Sequence, residues 1–372
     1  MFRPYEDPIK IRPYPPQDRG YFFYQHNNNI KIVQYTLEDN GFRDIKTHKQ
    51  GETYKINDGS WTIFWSIGPA KKLVYEGLHK YQKVNHFPCS FYMTRKDLMY
   101  RQISKLREIH GAKHFSFIPK TYILPNEIVF LEDDMKRNPK KQWIVKPAAS
   151  SQGRGIFVTT NLAEIPHKDK NMVVSEYIGS PLLLNGYKFD LRIYVAVTSV
   201  NPLRIYIYEE GLARFATCKY TESTTGSSKA TKFMHLTNYS VNKKNINFIE
   251  TNGEEDGTGS KWSLGALRTA LRAQGIDDSV VWRKIEDICI KTVISAEPFI
   301  FQAMNAYVPH RDNCFELLGF DILIDSALEP WLIEVNLSCS LGCDSALDQR
   351  VKAALVADLF TLIGVAPLDK RK

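Results

Sequence analysis

The chain has 372 residues, 43% of them hydrophobic and 12% aromatic, enough for two or three structural units with a substantial core and too apolar for a disordered chain. A balance of 49 basic against 41 acidic residues gives a net charge of +8, which favours an acidic partner without choosing among nucleic acid, polypeptide and nucleotide. Six cysteines with no CxxC pair and no zinc spacing read as reduced thiols in a cytosolic protein, and the absence of a long apolar run or apolar leader argues against membrane insertion and secretion.

In chain order, the first 20 residues are proline-rich and expected to be extended, and the asparagines at 27–29 mark a turn. WTIFW (61–65) reads as a strand, with a helix expected near 70–80. Thr94 precedes a run in which Leu98, Ile103 and Leu106 share a helical face, which predicts an N-capped helix stopped by Gly111. From 143 the chain is strand-rich, with WIVK, GIFVTT, MVVSEYI, KFDLRIYVAVTSV, LRIYIYE and LARFATCKY separated by turn formers. TESTTGSSKATK and ETNGEEDGTGSK, between 220 and 260, are polar and expected to be mobile. Helices are predicted near 263–274 and 279–305, then a hairpin over 315–335 and a last helix near 345–363. No internal repeat is present, and the order is α+β rather than a regular βαβ alternation.

The hairpin carries the first chemical signal. In PWLIEVNLS (330–338), alternation puts Leu332, Glu334 and Asn336 on one face, with Trp331, Ile333, Val335 and Leu337 on the other. GFDILID (319–325) likewise sets Asp321, Leu323 and Asp325 against Phe320, Ile322 and Ile324, and Ser326 to Glu329 form a plausible loop. If Asp325 pairs with Pro330, Asp321 lies across from Glu334, and two facing carboxylates repel unless a cation sits between them. The oxygen donors of Asp321, Glu334 and Asn336 suit Mg²⁺ rather than zinc, and Mg²⁺ commonly arrives with nucleotide phosphates.

Three further stretches bear on phosphate. In WIVKPAASSQGRGIFV (143–158) a strand delivers Lys146 and a small, glycine-bearing loop follows; it is not a Walker A loop, and an ordinary hairpin is the competing reading. In YKFDLRIYVAV (187–197) Lys188, Asp190 and Arg192 share a strand face, which a solvated, ion-paired surface would explain equally well. In FMHLTNYSVNKK (233–244) His235, Thr237 and Asn238 interrupt an apolar stretch, where a satisfied core histidine is the ordinary interpretation. Taken together these are the parts of a Mg²⁺–ATP site without a P-loop.

KP-x₅-GRGI, KFDLRIYV, HLTNYSVNK, FELLGFDILID and WLIEVNLSCSL closely resemble the tubulin-tyrosine-ligase-like family, and NHFPCSFYMTRKDL (85–98) is similar to another of its motifs. The likeness runs over roughly residues 60–365, and RFATCKY, FMHLTNYSVNKK and PHRDNCFELLGFDILIDS look most like the glutamate-adding members. The resemblance implies an α+β, ATP-grasp fold with an N-terminal α/β domain (1–94), a central domain (95–184) and a C-terminal domain with the metal site (185–372). It implies nucleotide contacts from Lys96, from Lys146, and from Ser151, Gln152, Gly153, Arg154 and Gly155 of the loop. Glu176, Tyr177 and Ile178 would form an adenine hinge through backbone groups. Lys188 and Asp190 would touch the nucleotide, and His235, Leu236, Thr237 and Asn238 would line its phosphate region. Arg192, Arg214 and Glu334 would be catalytic, Asp321, Glu334 and Asn336 would hold Mg²⁺, and Lys243, Lys244 and Arg311 would face the substrate tail or glutamate.

The chemistry so implied is phosphorylation of a substrate carboxylate by ATP to an acyl phosphate, then attack by the amine of free glutamate, with no Ser, Cys or His nucleophile. The expected acceptors are γ-carboxylates in the acidic C-terminal tails of tubulin or microtubules, and the loop ASSQGRG leans toward branch initiation. A monomer is expected, cytoplasmic and cytoskeleton-associated, including at the cilium or basal body, with no nucleic-acid or membrane partner. A glycine- or tyrosine-adding sibling and a catalytically dead microtubule-binding module are the alternatives.

Overall fold

The computed structural model describes residues 1–5, 22–26, 30–45, 59, 61–148, 153–166, 171–221, 233–243, 245, 248 and 256–365. The expected turn at 27–29, Ser151, Gln152, Lys244 and most of the two polar stretches lie outside them. Among the described residues the strands form three sheets. Short strands β1 (Phe22–His26), β2 (Arg43–Asp44), β3 (Ile63–Ser66) and β4 (Lys83–Val84) pair in parallel in the order β2-β1-β3-β4. An antiparallel sheet β5-β8-β6-β7 comprises β5 (Thr121–Leu124), β6 (Trp143–Pro147), β7 (Phe157–Thr159) and β8 (Met172–Glu176). The third sheet runs β12-β11-β10-β13-β14, with β9 (Leu183–Leu184) beside β10 (Tyr187–Val200), then β11 (Leu203–Phe215), β12 (Lys261–Ser263), β13 (Glu316–Ile324) and β14 (Pro330–Asn336).

The third sheet is covered on both faces, and β10 shows why. Its odd-numbered residues Phe189, Leu191, Ile193, Val195 and Val197 enter the largest core, which includes Val281, Ile285, Ile288 and Val293 of the 30-residue helix Asp278–Tyr307. Its even-numbered residues Tyr194 and Ala196 enter a second core with Leu347, Val351, Leu355 and Phe360 of the helix Ala346–Leu362. Lys188, Asp190 and Arg192 continue that second face beyond the apolar part, and all three are buried. The solvated-surface reading of this strand is therefore overturned: the face that carries the charges is roofed by other elements.

Other boundaries differ in instructive ways. LRIYIYE and LARFATCKY are one strand, β11, because Gly211 is not a turn: a Cβ there would stand 2.4 Å from the Arg192 carbonyl oxygen, so glycine lets the two backbones press together. Thr94 is not a cap. It closes the short helix Phe91–Thr94, its hydroxyl points back toward the Ser90 carbonyl, and extended Arg95 precedes the helix Lys96–His110, whose first turn carries Asp97. Gly111, at φ 92°, does end that helix. The helix expected near 70–80 is only Lys72–Glu76, while those at Leu264–Ala273, Asp278–Tyr307 and Ala346–Leu362 fall where expected.

The first sheet is joined to the third through buried polar groups. His86, just after β4, places Nδ1 against the Glu316 carboxylate, while the other Glu316 oxygen accepts the Phe87 N–H at 3.0 Å. The His86 Nε2 lies 2.8 Å from the Ser66 carbonyl. With acceptors at both ring nitrogens the imidazole is held protonated: burial works against that charge, but Glu316 outweighs it and raises the pKa.

Candidate active site

Strand register places charged residues opposite one another at one end of the third sheet. Asp190 on β10 faces Arg214 on β11, and Arg192 on β10 faces Asp321 on β13. Arg214 donates to both oxygens of Asp190, at 2.8 and 2.6 Å, and reaches Asp321 at 2.8 Å. The Arg192 Nε donates to Asp321 at 2.7 Å. Two carboxylates and two guanidiniums thus form a buried lattice of charge-assisted bonds. Burial alone would raise the Asp321 pKa, yet the two arginines hold it well below the ordinary carboxylate range. Arg214 is correspondingly held far above its usual value.

Asp321 does pair with Glu334, but by a different register from the one expected. Ile324, not Asp325, pairs with Pro330, which would set Asp321 against Ile333. A β-bulge between Asp321 and Ile322 absorbs one extra residue on β14 and restores the Asp321–Glu334 pair. The bulge breaks strict alternation, so Leu332 joins Val335 in the core instead of sharing a face with Glu334. The loop is closed by Asp325, whose carboxylate accepts the N–H groups of Ala327 and Glu329 and the Trp331 indole. The anticipated repulsion is relieved by protein cations: Arg192 and Arg214 on Asp321, and Lys96 at 2.9 Å from Glu334.

Two cavities meet at Glu334. The first lies between the second and third sheets. Ile144, Ile156, Leu323 and Ile333 give it an apolar part, and Lys96, Lys146, Lys188, Arg154, Asp190, Asp321 and Glu334 a charged one. Lys146, from β6, and Lys188, from β10, are 5% and 6% exposed. Burial pulls Lys146 down to about 8 even though Glu334 and Asp321 pull it up. Burial likewise pulls Lys188 to about 7 against the effect of Asp190. Ammoniums whose charged form is disfavoured by burial are what a polyanionic ligand would stabilise, so the donor chemistry fits a nucleotide polyphosphate.

The Lys188 Nζ donates to the Tyr177 hydroxyl at 3.0 Å, and that hydroxyl lies 2.6 Å from the His235 Nδ1. Burial keeps the phenol protonated. His235 is therefore both a satisfied buried histidine and part of the cavity wall. Asn242 anchors the segment: its Oδ1 accepts from the Thr217 N–H and hydroxyl, and its Nδ2 donates to the Leu236 carbonyl at 2.6 Å. Gly153 lies against this segment. Gly153 has φ +70°, and a Cβ there would stand 2.9 Å from Val241 Cγ2.

The second cavity is lined by Arg192, Tyr194, Arg214, Lys243, Lys261, Glu334, Asn336, Ser338, Ser340, Asp348 and Lys352, among others. The Asn336 Nδ2 donates to the Gly319 carbonyl at 3.2 Å. Asp321, Glu334 and Asn336 present oxygen donors of the kind a hard divalent cation takes, so the residues fit Mg²⁺, although among the described residues no three His, Cys, Asp or Glu cluster as a metal site.

A family model described as "Tubulin-tyrosine ligase family" matches residues 76–372. The chain belongs to the tubulin-tyrosine ligase family. It is 43% identical over 340 residues to "Tubulin polyglutamylase TTLL5" of Homo sapiens, covering 91% of this chain and 26% of that protein. It is 44% identical over 310 residues to "Tubulin monoglutamylase TTLL4" of Mus musculus, 83% of this chain and 26% of that one. With "Tubulin polyglutamylase TTLL6" of Mus musculus the identity is 41% over 320 residues, 85% of this chain and 38% of the relative. The chain thus spans about a quarter of the length of the first two relatives.

For this tubulin-tyrosine ligase family member, the expected nucleotide residues Lys96, Lys146, Gly153, Arg154, Glu176, Tyr177, Ile178, Lys188, Asp190, His235, Leu236, Thr237 and Asn238 all line the first cavity. Gly155 adjoins it in the same loop, and Ser151 and Gln152 lie outside the described residues. Two of the three hinge N–H groups are already used, Glu176 donating to the Lys120 carbonyl and Tyr177 to that of Gln142. Arg192 and Arg214 line the second cavity rather than the first, as does Lys243. Arg311 lines neither; it is exposed and pairs with Asp312 at 3.2 Å. Sequence reasoning missed Tyr194, Lys261, Asp348 and Lys352. Tyr194 stands next after Arg192 on the same strand face, and Asp348 and Lys352 form an i,i+4 pair behind the Ser345 cap, signals that were available.

Proposed function

We propose that this chain is an ATP-dependent carboxylate–amine ligase that adds glutamate, through an isopeptide bond, to γ-carboxylates in tubulin C-terminal tails, with branch initiation as its mode. The observation that carries the reading is the junction of two cavities at Glu334, one with charge-suppressed lysines and the other walled by the arginine–carboxylate lattice. The names of the relatives, a polyglutamylase and a monoglutamylase among them, support the choice of glutamate and tubulin. An ATP-grasp division into residues 1–94, 95–184 and 185–372 accords with the three sheets except for β9, which falls in the second interval but pairs with β10 of the third sheet.

ATP, when bound, would supply the phosphoryl group that activates a carboxylate, and Asp321, Glu334 and Asn336 would hold Mg²⁺, which would offset phosphate charge. Lys146, Lys188 and Lys96 would bind phosphate oxygens, which would offset the burial that disfavours the charged form of the first two. The side chains of Ile144, Leu323 and Ile333 would exclude water around the base. Arg192 and Arg214 are held by Asp190 and Asp321, so their guanidiniums are preorganised toward the second cavity and need no reorganisation as negative charge develops there. Free glutamate is the proposed amine, and action on microtubules implies a cytoskeletal setting, including cilium or basal body. The expected monomer belongs to the same proposal.

The test is mass spectrometry of an acidic tail peptide after incubation with ATP, Mg²⁺ and a mixture of isotopically distinct glutamate, glycine and tyrosine. A glutamate increment on a side-chain carboxylate is expected, abolished by Glu334→Gln while microtubule co-sedimentation persists. Addition of glycine or tyrosine instead, or unchanged turnover in the variant, would refute the reading.

A further inference from the structure

Two tyrosines surround the ammonium of Lys188. It donates to the Tyr177 hydroxyl and stands 4.7 Å from the centre of the Tyr177 ring and 5.9 Å from that of Tyr220. Aromatic faces attract a cation without cancelling its charge, which a salt-bridging carboxylate would do. Asp190, which favours the charge on Lys188, already accepts from Arg214 at both oxygens, and Lys146 opposes it. The Tyr177 hydroxyl is fixed in turn: it lies 2.6 Å from His235 Nδ1, and the imidazole meets the Tyr177 and Tyr220 rings in T-shaped contacts at 5.3 and 5.6 Å between centres.

Tyr177 and His235 line the first cavity, whereas Tyr220 stands behind its wall. Tyr220 is buried; its hydroxyl donates to the Gly179 carbonyl at 2.6 Å, just past the 176–178 segment, and its N–H donates to the Gly186 carbonyl at 2.9 Å, two residues before Lys188. One side chain beyond the end of β11 thus ties together the three stretches that bring 176–178, Lys188 and His235 to the cavity. A lysine stem loses rotamer freedom when it is ordered, so holding it before the ligand arrives lowers the cost of binding. We propose that Tyr177, through its hydroxyl, and Tyr220, from behind the cavity, are positioning residues that aim the Lys188 ammonium at the phosphates of a bound nucleotide while leaving its charge free for them. The assignment rests on the nucleotide reading of the first cavity given above. Both tyrosines act through Lys188 and neither acts on the reacting atoms.

The experiment is calorimetric titration of the whole chain with a non-hydrolysable ATP analogue and Mg²⁺, with a parallel titration of adenosine followed by ligand-observed NMR. The proteins are the unsubstituted chain, Tyr177→Phe, Tyr220→Leu, Lys188→Met, and each tyrosine variant combined with Lys188→Met. Tyr177→Phe removes one oxygen and keeps the ring, and adenosine, which has no phosphate, reports whether the cavity is still formed. The expected result is affinity for the ATP analogue about tenfold weaker in Tyr177→Phe and in Tyr220→Leu, adenosine affinity changed less than about twofold, and no further loss when either change is added to Lys188→Met. A merely structural tyrosine would weaken both ligands together and would add its effect to that of Lys188→Met. Unchanged affinity for the ATP analogue in the tyrosine variants, a matching fall for adenosine, or full additivity would overturn the positioning role and leave the nucleotide reading in place. No binding of the ATP analogue to the unsubstituted protein would overturn both.

Discussion

Lys146→Met offers a sharp trial of the idea that the first cavity is built for a polyanion. Burial lowers Lys146 from 10.5 to about 8. At about 1.4 kcal/mol per pKa unit, the nucleotide-free fold bears about 3 kcal/mol at neutral pH for keeping that ammonium charged. Methionine nearly conserves volume and carries no charge, so the variant without nucleotide should be more stable by about 2 kcal/mol, a rise of roughly 3 °C in melting temperature. Because the folded pKa is depressed, the penalty is full below about 8 and fades as pH rises toward 10.5; the unsubstituted protein should close the gap over that interval. The same change removes a charge-assisted phosphate bond and should weaken ATP binding by about tenfold to a hundredfold. Thermal melts of both proteins, with and without ATP, at neutral pH and near pH 10, read all of this. A variant that melts lower than the unsubstituted protein at neutral pH, or that keeps its full ATP-induced shift, would refute the argument.

Other outcomes follow from the same geometry. Asp321→Asn should cost about 3–5 kcal/mol in urea unfolding at neutral pH, because Arg192 is left buried without its carboxylate. The depressed Asp321 pKa means that its contribution is present above the unfolded value near 4 and is lost only as pH falls through the lower folded value, so the gap between the proteins should narrow only in strong acid. Gly153→Ala combines a φ of +70° with a 2.9 Å approach to Val241 and should weaken ATP binding about tenfold by lifting the loop from the 236–241 segment; an unaltered calorimetric affinity would count against the loop's role. His86 has a raised pKa, so its pairing with Glu316 stabilises fully below the unfolded value of 6.5 and is lost as pH rises through the folded one. The stability difference between the unsubstituted protein and His86→Gln should therefore shrink as pH rises above 6.5 through the raised folded value, and a gap that grows would contradict the imidazolium assignment.

The motifs were legible for local reasons. Alternation along KFDLRIYVAV correctly placed Lys188, Asp190 and Arg192 on one face, because side-chain direction in a strand depends only on the backbone. It could not say that this face would be buried, its apolar part against the helix Ala346–Leu362 and its charged part at the walls of the two cavities. The Asp321–Glu334 pair was reached from an unobserved register, and the conclusion survived because the bulge supplied the missing residue. Thr94 illustrates the opposite failure, a locally sound cap signal displaced because the residue belonged to the preceding helix.

By itself, the order of residues determined the family, the strands and helices that carry the chemistry, and the charged residues that line the first cavity, but not its apolar wall of Ile144, Ile156, Leu323 and Ile333. Only the folded chain decided which of those charges are paired. Arg192 meets Asp321 across 129 positions of sequence, and Lys261 and Lys352 converge on one carboxylate from separate elements. Tertiary packing also created the second cavity and stranded the Tyr194 hydroxyl in it. The physical reason is that alternation and capping are read from neighbours along the chain, whereas desolvation and ion pairing depend on distant segments that no local pattern specifies.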